Sequence, residues 1–313
     1  MVGSCDWRIP MPWNNLRKNI FLHLLFLLAS SSQALAGSAP GQEVQFVASI
    51  PPLAAILREV TGDRARVTIL LPPGASPHTF QPKPSQAMIM EKALAFFLAG
   101  PNLDQEWAGR LPARRRIAMV LLLPEEFRLT AQADHHHEKS GHGETGIDSH
   151  FWTDPLAVRA MIPELVRQLA ELDPAGMELY YANGRRFSDE LTALDQELTR
   201  LFQAVQTQPF FLFHPSFQYL FKRYQLRLAG LIEPFPGREP SPKFLRDLTD
   251  RIKSTGATAV FSEVELPARP AEVLAEAAGV RLFQLDPLGG TPSLYSYFEL
   301  MRFNARVLGS VIP

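Results

Sequence analysis

Histidine is the residue type in this 313-residue chain with the most obvious chemistry, because a neutral imidazole nitrogen is a favoured ligand for zinc and related metals. The chain has eight histidines, and three of those beyond the N-terminal segment stand isolated and far apart. His78 lies in Gly74-Ala75-Ser76-Pro77-His78-Thr79-Phe80, directly after an apolar run at 67–71. His214 ends the apolar run 210–213, and His150 opens His150-Phe151-Trp152-Thr153-Asp154-Pro155 after a polar stretch. Asp286, behind the run 280–285, and Glu263, behind 258–261, take the same kind of position. Open α/β sheets bind ligands in the crevice beyond the carboxyl ends of their strands. Taken singly, each histidine reads equally well as a loop residue satisfied by a hydrogen bond. Their shared placement favours a metal site in which His78, His150 and His214 join the carboxylate of Asp286 in a closed four-coordinate shell suited to zinc. Glu263 or a water is the alternative fourth partner.

A second cluster is Asp134-His135-His136-His137-Glu138 with His142 and Glu144. It sits in a polar, glycine-containing stretch, 131–149, expected to be a surface loop that binds metal loosely and without fixed geometry. Cys5, the only cysteine, precedes the apolar run 20–29. A mature chain without it has no thiolate ligand and no disulfide, so any metal must be held by nitrogen and oxygen. Copper also binds such nitrogen sites strongly, so ligand type alone does not fix the ion.

The elements that must position these residues alternate between strand and helix. Strands are expected at 44–50, 67–71, 93–99, 210–213, 226–232, 258–261 and 280–285, with helices at 53–60, 85–92, 217–224, 242–254, 270–278 and 293–308. This is the rhythm of parallel sheets covered by helices. Tyr180, Phe187, Leu191, Leu194, Leu198 and Leu201 recur at helical spacing, which predicts one long amphipathic helix from about 174 to 202. The expected organisation is a signal peptide at 1–36, an N-terminal lobe at 37–172, a linking helix within 173–205 and a C-terminal lobe at 206–313. Each lobe contributes two of the four ligands, and the long helix limits hinge closure, leaving release to the loops that bear His78 and His150.

The leader reading rests on Arg17 and Lys18 before the apolar run 20–29, followed by the small-residue site Ala34-Leu35-Ala36. About 10 apolar residues are too few to span a bilayer, which takes roughly 20. Cys5 lies too early to be a lipid-anchoring cysteine at the cleavage point, so a soluble exported protein is expected. With 31 basic and 32 acidic side chains the formal net charge is −1, so no basic surplus attracts nucleic acid. A monomer is expected.

Four segments, in order, resemble the substrate-binding proteins of zinc and manganese ABC transporters, the ZnuA/TroA-type family. They are Gly74-Ala75-Ser76-Pro77-His78-Thr79-Phe80-Gln81-Pro82, Asp148-Ser149-His150-Phe151-Trp152-Thr153-Asp154-Pro155, His214-Pro215-Ser216-Phe217-Gln218-Tyr219-Leu220 and Leu285-Asp286-Pro287-Leu288-Gly289-Gly290. The resemblance covers the chain from about Val44 onward. It implies an α/β protein of two lobes joined by a long rigid helix, with metal bound between them by His78, His150, His214 and Asp286. Manganese-binding members tend to carry a carboxylate where His214 stands, so the histidine resembles the zinc branch. Ser149 replaces the commoner proline before the second ligand. The implied role is capture of Zn2+ in the periplasm and delivery to an ABC-transporter permease, with no chemistry on a substrate. A manganese- or iron-type receptor is the alternative within the family. A zinc hydrolase is the rival from another class, but catalytic zinc needs an open position and a base, and no His-Glu-x-x-His occurs. Tyr219, Trp152 and Glu263 are expected to lie around the ligands.

Overall fold

The apolar run Val44-Gln45-Phe46-Val47-Ala48 forms β1 (Val44–Ala48) at the interior of a four-stranded sheet. In this computed structural model the residues described are 43–131, 146–233, 240–290, 294 and 296–312. The expected leader with Cys5, and His135, His136, His137 and His142, lie outside them. The other strands of the sheet are β2 (Ala65–Ile69), β3 (Ala95–Leu98) and β4 (Arg116–Ala118), in the order β2-β1-β3-β4, all parallel. Every residue of β3 is buried, as a strand covered on both faces requires. One apolar cluster fills the face that packs on Phe46 and Phe97, and a second fills the face of Val47, Phe96 and Trp107.

The second half is built from two parallel pairs, β5 (Pro209–Leu212) with β6 (Arg227–Leu231), and β7 (Ala259–Glu263) with β8 (Arg281–Leu285). Phe210 of β5 and Phe261 of β7 bring the pairs together, with ring centroids 5.8 Å apart. The helices between them stop where glycine allows it. Gly256 and Gly279 close Pro242–Thr255 and Arg269–Ala278 in left-handed conformations with φ of 70° and 69°.

The long helix is Met177–Gln203, 27 residues or about 40 Å. Its buried stripe is Tyr180, Gly184, Phe187, Leu191, Leu194, Leu198 and Phe202. It starts later than the apolar spacing predicts, because Pro174–Gly176 forms a 3-10 turn. Asp173 anchors that turn by accepting from Tyr180 at 2.6 Å and from the Arg64 guanidinium at 2.8 and 2.7 Å. The helix packs on Pro51–Thr61, Pro155–Leu172 and Tyr297–Gly309. Gly184 permits the closest of these approaches, since a Cβ there would meet Val166 Cγ2 at 2.7 Å. Core residues from Val44 to Val311 form one continuous cluster, so the helix is embedded rather than a free tether.

β4 and the short helix Gln105–Ala108 have no counterpart in the sequence reading, and two longer helices also differ from it. The helix Pro155–Leu172 has no counterpart in it; Asp154 caps this helix by accepting from Leu156 N at 2.8 Å, and Pro163 sits on the exposed face. The last helix, expected from 293, begins at Tyr297 with a reciprocal cap between Ser296 and Glu299. Among the described residues no helix is long and apolar enough to cross a membrane.

Candidate metal centre

The loop after β2 reaches His78 through Gly74, whose φ of 73° lies in the left-handed region that favours glycine. Trp107 then pins the loop. Its Nε1 donates to Pro77 O at 2.9 Å, and its ring meets Phe80 edge-on at 4.9 Å. His78 is only half-buried as a residue, yet its Nε2 is buried without a hydrogen-bond partner. Burial and the facing His214 and His150 rings hold its pKa well below the ordinary histidine value, which keeps it neutral.

His150 precedes the short turn Phe151–Thr153 and is buried. Asp148 Oδ1 accepts from its backbone N at 3.0 Å and lies 2.7 Å from its Nδ1. A carboxylate there takes the Nδ1 proton and leaves Nε2 with the lone pair that a metal needs. Next to it, Trp152 donates Nε1–H to Pro287 O at 2.9 Å, and Tyr297 OH donates to Trp152 O at 2.8 Å. These bonds fasten the His150 segment to the turn behind Asp286.

His214 follows β5 after Phe213, and its Nδ1 stands 2.8 Å from Glu263 Oε2. The pair is close, but the N–H does not point along a hydrogen-bond line, so the attraction is electrostatic. Ser216 Oγ donates to Glu263 Oε1 at 2.8 Å and steadies that carboxylate. His214 Nε2 is buried and unpartnered, like that of His78.

The three rings converge. Their centroids are 5.3 to 5.8 Å apart, and one ring nitrogen from each lies within 4.8 Å of the others. Donors about 2.0–2.1 Å from a tetrahedral zinc sit roughly 3.4 Å apart, so a small inward movement of the rings seats an ion. The cavity they line holds about 10 Å³, the size of one water or one ion rather than an organic ligand.

Asp286 is not part of that group of converging nitrogen donors. It directly follows β8 and is fully buried, as its sequence position implies. Its Oδ1 accepts from Leu288, Gly289 and Gly290 N at 3.2, 2.6 and 3.1 Å, and Asn304 holds its backbone through bonds of 2.9 and 2.7 Å. Glu263 is the last residue of β7 rather than a residue beyond it, and it backs His214. Tyr219 accepts from Leu129 N at 3.0 Å and donates to Asp148 O at 3.1 Å, which sets the segment carrying the His150 partner.

Sequence reasoning missed Asp148, Ser216 and Glu265. Asp148 and Ser216 sit two residues from a histidine inside the quoted segments, the spacing that lets a side chain turn back on a neighbour. Glu265 carries no such signal. It lines the histidine cavity with both carboxyl oxygens buried, and its carboxyl pairs with that of Asp286. Burial, then the charges of Asp286 and Glu263, push its pKa up to about 9. Nitrogen donors on one wall and acidic groups on the other suit a hard-to-borderline divalent cation such as zinc.

A family model described as zinc-uptake complex component A, periplasmic, matches residues 46–311. The high-affinity zinc uptake system protein ZnuA of Brucella abortus (strain 2308) is 28% identical over 332 residues, covering 93% of this chain and 99% of that protein. A ZnuA crystal structure superposes with a TM-score of 0.75 at 29% identity, covering 87% of this chain and all of that one. A ZnuA deletion mutant with zinc bound superposes at 0.72 and 27% identity, covering 86% and 98%. A metal-sized cavity walled by three histidines, in a fold shared along nearly the whole chain, leaves one conclusion: the chain belongs to the family of periplasmic zinc-uptake complex components, and Zn2+ is the ion it takes up.

Proposed function

We propose that His78, His150 and His214 bind one Zn2+ for delivery to an ABC-type permease, with the carboxylate of Asp286 completing the shell. The convergence of three ring nitrogens within 4.8 Å of one another supports this reading more than any other observation. Residues 37–172 and 206–313 act as the two metal-binding lobes, and 173–205 as the link between them. The long helix packs along most of its length into the shared core, so release proceeds by local movement of the loops bearing His78 and His150. The protein performs no catalysis. All three imidazoles and a carboxylate are spent on the ion, and the cavity has no room for an organic substrate beside it.

Export follows from the leader, with Arg17 and Lys18 ahead of the apolar run and cleavage after Ala36. His135, His136, His137 and His142 act as a low-affinity collector. Metal analysis of the purified mature protein tests the whole reading. Wild type and a variant lacking 132–145 should each retain one tightly bound zinc, while His78→Ala loses it. Zinc retained by His78→Ala but lost with 132–145 removed would move the principal site to the histidine-rich segment.

A further inference from the structure

A second cavity, of about 330 Å³, opens between the two halves of the chain beside the histidine cavity. Organic-ligand sites run from roughly 300 to 1,000 Å³ and favour such junctions, so this one suits a small molecule. Its lining is mostly apolar. Pro52, Ala55 and Arg58 recur at helical spacing along one face of Pro51–Thr61. Leu71, Pro72 and Pro73 come from the loop that leads to His78, and Leu288, Gly289 and Gly290 from the turn behind Asp286. Arg58 is the only charged group among the described lining residues. It lies exposed at the edge, with Nη2 donating to Val67 O at 3.0 Å. Burial lowers its pKa, and no acid stands near enough to counter that effect. The remaining N–H groups of its guanidinium form a planar fork that matches a carboxylate.

The walls connect this cavity to the metal centre. Leu288 lines both cavities. The two loops also touch, since a Cβ on Gly290 would lie 3.6 Å from Gly74 N. Pro73 stands shortly before His78 in the chain, and Leu288 shortly after Asp286. A molecule held by both walls therefore holds together the two segments that the ion must also hold. Binding free energies that draw on one shared closure are coupled, and the coupling is reciprocal.

We propose that this cavity binds a small organic monoanion, its apolar body between the two halves and its carboxylate on Arg58, and that its occupancy strengthens zinc binding. The coupling rests on the zinc-capture reading above, whereas the site itself stands apart from it. Apolar burial supplies the affinity, and the guanidinium selects an anion over a neutral molecule of the same length.

The test titrates octanoate into full-length mature protein by calorimetry, metal-free and zinc-loaded, with acetate and octanol as controls. One octanoate should bind per chain, octanol at least about tenfold more weakly, and acetate not measurably. From butanoate to octanoate, affinity should rise about fourfold for each methylene buried. Arg58→Met should weaken octanoate binding at least about tenfold, and Arg58→Lys should recover part of it. Ala55→Phe, which fills the cavity, should abolish it. These variants should keep the wild-type circular dichroism spectrum and one tightly bound zinc. In chelator competition, saturating octanoate should raise zinc affinity at least about threefold over the same concentration of acetate, which matches its own weak hold on the metal. Octanoate binding that survives both Arg58→Met and Ala55→Phe overturns the site, as does none up to about 10 mM. So does a crystal structure in which the chain's own side chains fill the cavity. Equal zinc affinity in octanoate and acetate overturns the coupling. In each of these cases His78→Ala still loses zinc and the capture reading stands. If His78→Ala keeps wild-type zinc affinity, the capture reading fails, and octanoate binding by the metal-free protein still decides the site.

Discussion

Glu263, the last residue of β7, places its Oε2 2.8 Å from Nδ1 of His214, the histidine just beyond β5, so the two strand pairs of the second half meet in one imidazole. Carboxylates behind metal-binding histidines set ring direction and basicity, and losing them typically weakens binding 10- to 100-fold. Glu263→Gln, which keeps the shape and the Ser216 bond, should weaken zinc binding by about that factor without unfolding the protein. Asp148→Asn should do the same through His150. Chelator competition measures both, and the double variant should be close to additive because the two acids serve different rings.

Acid should release the metal, since protons and zinc compete for the same nitrogens. Zinc affinity is expected to decline below about pH 6.5, where free histidine gains its proton. The metal-free protein carries the same signature. His78 has a folded-state pKa depressed by burial and by the two facing rings. Below 6.5 the unfolded chain therefore binds a proton that the folded one refuses, and stability falls as pH falls, by at most about 1.4 kcal/mol per pH unit. Thermal melts of metal-free protein from pH 7.5 to 5 should show a shallower slope in His78→Gln than in wild type.

Glu265 gives the opposite slope at the alkaline side. Its pKa rises from 4.5 to about 9 in the folded state, so folding holds a proton that the unfolded chain gives up. That contribution is complete below pH 4.5 and disappears as pH rises toward 9. Glu265→Gln keeps a neutral group at all pH values. Metal-free Glu265→Gln should melt higher than wild type at pH 8, with the gap closing near pH 4.5. Equal melting temperatures at both pH values would mean that the carboxyl is not buried in solution.

Tyr297→Phe separates support of the fold from binding of the ion. The variant deletes only the hydroxyl that donates to Trp152 O, and it leaves a buried carbonyl without its partner. Denaturant unfolding should report a loss of about 1–3 kcal/mol. Zinc affinity should change little, because Trp152 remains tied to Pro287 and no histidine is touched.

The alternation of apolar runs with glycine and proline stops was sufficient to read most of the strand–helix order, though not the three-residue edge strand β4, because each longer local pattern agrees with the element that it forms. The 293–308 helix shows the limit of that reading. Its first turn is set by the Ser296–Glu299 cap, which apolar spacing does not reveal. Pro155–Leu172 shows another limit, since an internal Pro163 masks a periodicity that becomes evident once the buried side is known. His78, His150 and His214 were legible as candidates because each ends an apolar segment or opens an ordered one, and strand ends are where α/β sheets gather their ligands.

Residue types and their spacing were enough for the donor chemistry: nitrogen and oxygen ligands without sulfur, on loops at strand ends, in an alternating α/β chain. Which groups share one cavity depended on the folded chain, because residues separated by more than a hundred positions are brought together by packing around the long helix and not by any local preference. It also divided the acids by role. Asp148 and Glu263 stand behind imidazoles, Asp286 closes a turn by accepting from backbone amides, and Glu265 lines the cavity with its carboxyl paired to Asp286. One-dimensional spacing does not distinguish these roles, since the difference lies in which neighbours satisfy each carboxylate.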